Sequence, residues 1–434
     1  MSSFRNFLGS PWGALSLLLA INLLNYIDRY LPSAVLSSIS KQLFPADQKS
    51  DTLEGSLQSA FMFSFMITAP LFGWLCRHFN RWHIIGVGVI LWSIASGASG
   101  LAGLAKDHVN NGAGGIWVLV GTFAFLFMSR CFVGVGEAAY GPAAPAILSD
   151  LFVESKRGMA LSFFYAAIPV GSAFGYLVGG MLGWPNAFFW MLPPGLLLGF
   201  VCFFAPETAA KSQAHHSAAK KSRVWELAKI PSYVLAVAGY TLSTFAIGAI
   251  AFWLPKYLIT HREVGNEASV NTMVGGIIAL SGLLATLIGG WLADWFKKKR
   301  PGAYFEVSSV GLLLSIPFLL LTLYCPFPLG WVMIFGCTFC MMLNTGPINA
   351  IVMNVVPPDL RPQAMAMCIF CIHALGDAIS PPLVGLANDL AGNPNAGFLS
   401  LTVLLFAGAV VWWIGAKTLK VDLANEHKTE LAQG

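Results

Sequence analysis

Gly290-Trp291-Leu292-Ala293-Asp294-Trp295-Phe296-Lys297-Lys298-Lys299 closes one long apolar run. Gly73-Trp74-Leu75-Cys76-Arg77-His78-Phe79-Asn80-Arg81 closes another, 217 residues earlier. That offset is half the chain. A tripeptide recurs easily by chance. A Gly-Trp-Leu with the same apolar approach and the same basic exit, at half-length, reads as an internal repeat. The sequence between and around the two copies is therefore read as two related halves.

The composition says what the halves are made of. Hydrophobic residues make up 56% of the chain and charged residues only 10%, against about 25% charged in a soluble domain. Most of the surface must therefore face something other than water. Crossing a bilayer takes roughly 20 mostly apolar residues per helix. Such stretches recur at 12–40, 55–76, 82–104, 116–148, 158–182 and 186–204, then at 231–258, 269–294, 303–324, 328–353, 362–389 and 397–416. The run from Trp12 continues past Leu24 without a small-residue cleavage site, so it is read as the first span and not as a signal peptide. The expected fold is an all-α membrane protein of twelve transmembrane helices in two pseudo-symmetric six-helix bundles. The bundles are 1–206 and 230–416, joined by a polar linker at 207–229 and followed by a tail at 417–434. Parallel repeats of this kind carry the substrate site at their interface in known transporters.

Basic residues choose the orientation. With both termini on one side, that side holds Arg5, Arg77, Arg81, Lys156, Arg157, Lys211, Lys220, Lys221, Arg223, Lys229, Lys297, Lys298, Lys299, Arg300, Arg361, Lys417, Lys420 and Lys428. The other side holds only Lys41, Lys49, Lys106 and Arg262. This is the positive-inside pattern, and it puts both termini in the cytoplasm of a multi-pass protein of the inner (plasma) membrane. It also accounts for the net charge of +5 without a nucleic-acid partner.

Ionisable residues at membrane depth cost at least ~2.5–3.5 kcal/mol each and need a partner or a wet cavity. The first half has four: Asp28, Arg29, Arg130 and Glu137. Arg130 and Glu137 are seven apart on one face of the fourth span, with Gly134 between them. Asp28 lies about 24 Å along the first span at 1.5 Å per residue, where the first and fourth helices can border one cavity. One reading is a relay in which Asp28 or Glu137 changes protonation as Arg130 moves in and out of reach. The other is a static ion pair that fixes helix packing. Arg29 points roughly 100° away from Asp28 and is read both ways. In the second half, His373 and Asp377 share a face of the eleventh span, and a His is a suitable proton carrier or a packing partner. Asn344, Asn349 and Asn354 dot the tenth span as candidate hydrogen-bonding groups. Lys256 and Glu306 are read as span-end residues whose long side chains snorkel. Gly171, Gly175 and Gly179, four apart, mark a close-packing face of the fifth span.

Other chemistries find no footing. Cys337-x-x-Cys340 and Cys368-x-x-Cys371 fall inside spans without the turns a zinc ribbon needs. No phosphate-binding Gly-Lys-Ser/Thr loop, zinc-protease helix or nucleophile elbow occurs. The chain is expected to be no enzyme, to bind no metal and to need no cofactor beyond a proton gradient.

Several blocks carry a family resemblance: Asn25-Tyr26-Ile27-Asp28-Arg29-Tyr30, Ser129-Arg130 through Gly134-Val135-Gly136-Glu137-Ala138, Phe164-Tyr165-Ala166-Ala167-Ile168-Pro169-Val170-Gly171-Ser172, and His373-Ala374-Leu375-Gly376-Asp377-Ala378 with Ser380-Pro381. The chain resembles the major facilitator superfamily over its whole length, and within it the Spinster-like lipid transporters. The resemblance implies alternating access by two rocking bundles, with Asp28 at a proton-linked acidic position and Arg130 and Glu137 as the fourth-helix pair. It implies amphipathic lipid substrates such as sphingosine-1-phosphate and lysophospholipids, whose phosphate Arg130 would meet bidentately. Arg77 departs from the family pattern: the loop after the second span usually carries an acid, which the second copy keeps as Asp294. That acid helps lock the gate in the family, so Arg77 and Asp294 are the gating candidates.

The expected function is secondary active transport of a lysophospholipid or sphingosine-phosphate-like lipid, proton-coupled through Asp28, Glu137 and Arg130. Arg130, Glu137, Asn344, His373 and Asp377 are the substrate-binding candidates. The alternatives are a symporter for a small organic anion or sugar acid, and a lipid-binding membrane receptor or scaffold. Expected partners are the small-molecule or lipid substrate and membrane lipids around a monomer. For orientation, Lys298→Cys and Lys49→Cys should be labelled by an impermeant thiol reagent from opposite faces of the membrane; labelling of both from one face would overturn the topology.

Overall fold

A computed structural model describes residues 2–44, 50–104, 115–207, 224–357 and 360–433. Every regular element among them is helical. Among the described residues, ten helices are long and apolar enough to cross a membrane. Two more complete the expected twelve. Pro11–Ala34 has the length of a span, but Asn22, Asn25, Asp28 and Arg29 lower its apolarity. Asn186–Cys202 is apolar but has 17 residues. Lys49, Lys106 and most of the polar linker lie outside the described residues.

Four spans are broken. The first is interrupted at Val35, between Pro11–Ala34 and Leu36–Leu43. The fourth is Gly115–Ala138 followed by Ala143–Leu151, and the tenth is Leu329–Met342 followed by Thr345–Asn354. Both breaks fall beside a Gly-Pro pair, Gly141-Pro142 and Gly346-Pro347, because proline cannot donate to the preceding turn. The eleventh span holds a turn of π-helix at His373–Asp377, where Gly376 leaves helical geometry (φ −104°, ψ −105°).

Polarity is inverted relative to a soluble protein. Ile67, Met181, Leu390 and Val403 are exposed, while Ser93, Ser96 and Ser99 of the third span are buried. An apolar exterior suits acyl chains, and small polar residues let helices approach closely inside.

The helices fall into two compact units, Met1–Ala218 with Phe252–Gly275 and Ala219–Ala251 with Gly276–Gly434. In the first, the fifth span lies on the first through its glycine stripe. A Cβ on Gly171 would stand 2.6 Å from the Tyr26 Cβ, one on Gly175 2.7 Å from the Ile27 carbonyl oxygen, and one on Gly179 2.5 Å from the Ala34 Cβ. Gly134 serves the second and fourth spans likewise, its Cβ position lying 2.2 Å from the Phe61 oxygen. The amide of Asn22 donates to the Phe164 carbonyl (2.9 Å) and the Tyr140 hydroxyl to that of Leu18 (2.5 Å). Residues of the seventh and eighth spans join this unit: Asn271 donates to the Ala34 carbonyl (2.8 Å), and Ser37 and Ser38 donate to Glu267.

In the second unit, the ninth span (Ala303–Tyr324) lies against the tenth and against the twelfth, Asn395–Gln433. Ser309 donates to the Ala409 carbonyl (2.7 Å), the Trp412 indole to that of Ala236 (3.3 Å), and Tyr233 to that of Ala364 (2.8 Å).

Gly175→Val should destabilise the protein by about 1–3 kcal/mol, the usual cost of overpacking, measured by thermal unfolding in detergent. Gly276→Val, where a Cβ meets nothing within 4 Å, is the control and should leave the transition in place.

Candidate functional site

The first span presents Asn22, Asn25 and Asp28 at a spacing of three, all buried. The third span presents Ser93, Ser96 and Ser99 at the same spacing, also buried. On a helix, positions three apart fall on one face, so the two sequences build a polar strip inside an apolar bundle. Ser96 donates to the Asp28 carboxylate across it, and Ser99 and Ser129 share a hydrogen bond of 2.8 Å.

Two arginines complete the cluster, and they divide the acids between them. Arg29 Nη2 is 2.9 Å from Glu137 Oε2. Arg130 Nη1 is 3.7 Å from Asp28 Oδ2, close enough for strong Coulomb attraction but too far for a hydrogen bond. The partner of Glu137 is therefore Arg29, not the Arg130 that shares its helix face. The 100° rotation of Arg29 away from Asp28 is what directs it to the fourth span, so Arg29 is a full member of the cluster. Phe61 lies beside both guanidiniums, its ring centroid 5.0 Å from Arg29 Cζ and 5.6 Å from Arg130 Cζ, and Tyr26 lies 4.9 Å from Arg29 Cζ. Such faces favour cations that have left water.

Arg130 is 1% exposed, yet Nε, Nη1 and Nη2 all lack a hydrogen-bond partner among the described residues. Asp28 Oδ2 and Glu137 Oε1 are in the same condition. Buried polar groups are nearly always satisfied. A guanidinium with its planar set of donors uncommitted is chemically suited to a planar or tetrahedral anion.

In the second unit, His373 Nδ1 is 3.0 Å from the Asp377 carboxylate, with both side chains partly exposed. Asn344 lies at the break of the tenth span and does not touch that pair. Its amide nitrogen donates to Ser243 (3.1 Å) and to the Met341 carbonyl, and Oδ1 is unpartnered. Asn349 donates to the Thr345 carbonyl of its own helix (2.7 Å). Asp294 accepts from the Tyr304 hydroxyl (2.6 Å), and Arg77 is exposed in the corresponding turn of the first unit.

Two charge clusters were not foreseen from the sequence. Lys256 does not snorkel: it is 7% exposed, and its ammonium is 2.5 Å from Glu54 and 2.8 Å from Asp51. Glu54 is fully buried and also accepts from Ser40 (2.7 Å). Asp51 and Glu54 are three apart at the head of the second span, which marks a shared face, but the lysine that answers them is about 200 residues away. The second cluster gathers on Arg81, which is 2.7 Å from Asp150 and 3.4 Å from Glu207. Glu306, also read as snorkelling, forms an exposed pair with Arg300 (3.4 Å).

The Major Facilitator Superfamily profile matches residues 18–381. Protein spinster homolog 1 of Xenopus laevis is 34% identical over 427 residues, covering 92% of this chain and 77% of that protein. The chain belongs to the Spinster family of the major facilitator superfamily. The sphingosine-1-phosphate transporter SPNS2 of Danio rerio is 33% identical over 88% of this chain and 76% of its own. Among solved structures, a bacterial homologue of the human lysosomal transporter Spinster, inward-facing and unoccupied, superposes with a TM-score of 0.79 at 18% identity, covering 97% of this chain and 99% of that one. That likeness bears out the twelve-helix fold. Spinster members are transporters and not enzymes, and this chain is a multi-pass membrane transporter.

Lys256→Met should strip Glu54 of its cation inside the bundle, a loss of about 3–5 kcal/mol for a broken buried pair, read as a lowered unfolding temperature in detergent. Glu54→Gln combined with Lys256→Met should recover part of it. A double-variant loss equal to the sum of the losses in Lys256→Met and Glu54→Gln alone would mean that the pair contributes no coupling.

Proposed function

We propose that this Spinster-family chain is a proton-coupled transporter of an amphipathic lipid with an anionic phosphate head, of the lysophospholipid or sphingosine-phosphate kind. The observation that carries this reading is Arg130: a fully buried cation whose ionic partner among the described residues is Asp28, at 3.7 Å, and whose donors are uncommitted there. The sphingosine-1-phosphate relative supports the lipid class.

The coupling follows from charge. Ionised Asp28 attracts Arg130 and competes with any anion for it. A proton on Asp28 removes that competition and leaves the guanidinium free for a phosphate. Conversely, an anion on Arg130 withdraws positive charge from Asp28 and makes it easier to protonate. Proton and anionic head therefore bind cooperatively, by reciprocal linkage. Ser96 can serve either state of Asp28, since a hydroxyl donates or accepts. Glu137 keeps its own cation in Arg29, so it is the second coupling acid and not the first. In the second half, Asn344, with an unpartnered Oδ1, and the His373–Asp377 pair are the candidates for polar contact with substrate.

In this reading the protein works as a monomer by alternating access, its halves being 1–206 and 230–416. Its termini and basic turns are cytoplasmic and the membrane is the plasma (inner) membrane. Asp294 and Arg77 mark the gate turns. Lys256 and Glu54 come from different halves of the sequence but pair within one compact unit.

The small-anion reading rests on the same guanidinium, so the assay carries both substrates. Purified protein in liposomes should move sphingosine-1-phosphate or a lysophospholipid faster under a pH gradient. Asp28→Asn should abolish the gradient's effect, and Arg130→Lys, which keeps the charge but loses the planar fork, should lower uptake by about tenfold or more. Movement of a sugar acid but no lipid would replace the substrate class and leave the coupling intact. Unchanged proton movement in Asp28→Asn would sink the coupling.

A further inference from the structure

Outside the charge clusters, the second unit holds a cavity of about 280 Å³ between the eighth, ninth and twelfth spans. Its walls include Val310, Leu314 and Trp413, all exposed, and its floor is Leu343. In a membrane-spanning chain, exposed apolar side chains at span depth face acyl chains, so this cavity opens toward lipid. Its mouth is different in character. Arg300 and Glu306 line it there, at the end of the bundle where Lys297, Lys298 and Lys299 precede Arg300. Two of those lysines are occupied by aromatic faces, Lys297 over Tyr304 at 5.0 Å and Lys299 over Trp295 at 5.2 Å. Arg300 is an exposed cation of this run: its side chain is 67% exposed and lies 3.4 Å from Glu306. From Glu306 to Leu314 the ninth span advances about 12 Å at 1.5 Å per residue, so the cavity is a slot with one charged end.

We infer that this slot is a binding site for an anionic membrane phospholipid, with one acyl chain between Val310, Leu314, Leu343 and Trp413 and the phosphate on Arg300. Charge decides the head. Arg300 lines the cavity and ends a run of four cations at 297–300, against the carboxylates of Asp294 and Glu306, and Asp294 accepts from Tyr304. The excess is positive, and basic clusters beside spans recruit anionic lipid. Glu306 competes with the phosphate for Arg300, which gives the site a brake that can be released. Leu343 immediately precedes Asn344, so a chain in the slot touches the break in the tenth span.

The site is tested on the full-length protein in phosphatidylcholine nanodiscs. The discs are doped with either phosphatidylglycerol or phosphatidylcholine carrying a photoreactive diazirine near the end of one acyl chain. Adducts are then mapped by mass spectrometry. Phosphatidylglycerol should label the slot residues several-fold more than phosphatidylcholine. Leu314→Trp, which fills the slot, should remove those adducts while labelling elsewhere persists. Arg300→Gln, at an exposed position that does not threaten folding, should bring phosphatidylglycerol labelling down to the phosphatidylcholine level, and Glu306→Gln should raise it. Equal labelling by the two lipids, indifference to Arg300→Gln, or slot adducts that survive Leu314→Trp would overturn the proposal and leave ordinary lipid contact.

Discussion

Arg130 is a permanent cation held in the interior of a helix bundle, and the rest of the first unit is arranged around that fact. Guanidinium cannot shed its charge at any ordinary pH, so the bundle must supply compensation. It does so with one carboxylate, Asp28, at ion-pair distance and one aromatic face, Phe61. The serine strip of the third span then holds Asp28 in place. Partly exposed Arg29 and buried Glu137 form a second pair nearby, so two cations and two anions lie together and the cluster is neutral when both acids are ionised. Adding one proton tips that balance. Among the described residues no Arg130 donor has a hydrogen-bond partner.

The packing of the helices serves the same arrangement. The fifth span can approach the first only because Gly171, Gly175 and Gly179 leave no side chains in the way, and Gly134 does this for the second and fourth. Close approach of the second span brings Phe61 onto both guanidiniums. Where helices break, at the Gly-Pro pairs of the fourth and tenth spans and at the π-turn of the eleventh, polar groups are released from the regular ladder. Asn344 and the His373–Asp377 pair sit at such points. Irregular backbone at membrane depth is tolerated where it is buried in protein or lines a cavity.

The two halves have diverged in their charged turns. The first has Arg77 exposed and Arg81 drawn inward to Asp150 and Glu207. The second keeps Asp294, held by Tyr304, beside an exposed Arg300–Glu306 pair. Arg81 therefore ties together the ends of the third, fourth and sixth spans by ion pairing, a task for which the missing acid at 77 is not required. At the opposite end of the second span, Lys256 is sequestered by Glu54 and Asp51. Charge is thus concentrated at three levels of the first unit.

The fold was legible because membrane insertion is a local property. Each span carries its own apolar length, and the repeat of Gly73-Trp74-Leu75 at Gly290-Trp291-Leu292 needs no structure to be seen. The ionic residues of the site were legible for a related reason: Asp28, Arg130 and Glu137 are costly at membrane depth, so their presence alone marks them. Pairing is another matter. Helical periodicity relates residues on one helix and says nothing about which neighbour lies opposite. Only the tertiary structure could give Glu137 to Arg29, return Lys256 to acids some 200 residues earlier, and bring Ser96 to Asp28. The sequence by itself determined that this chain spans the membrane and that Asp28, Arg130 and Glu137 lie at membrane depth; the packing of helices decided that Lys256 and Glu54 are buried too and which charge answers which, because that depends on distances between helices that no single helix encodes.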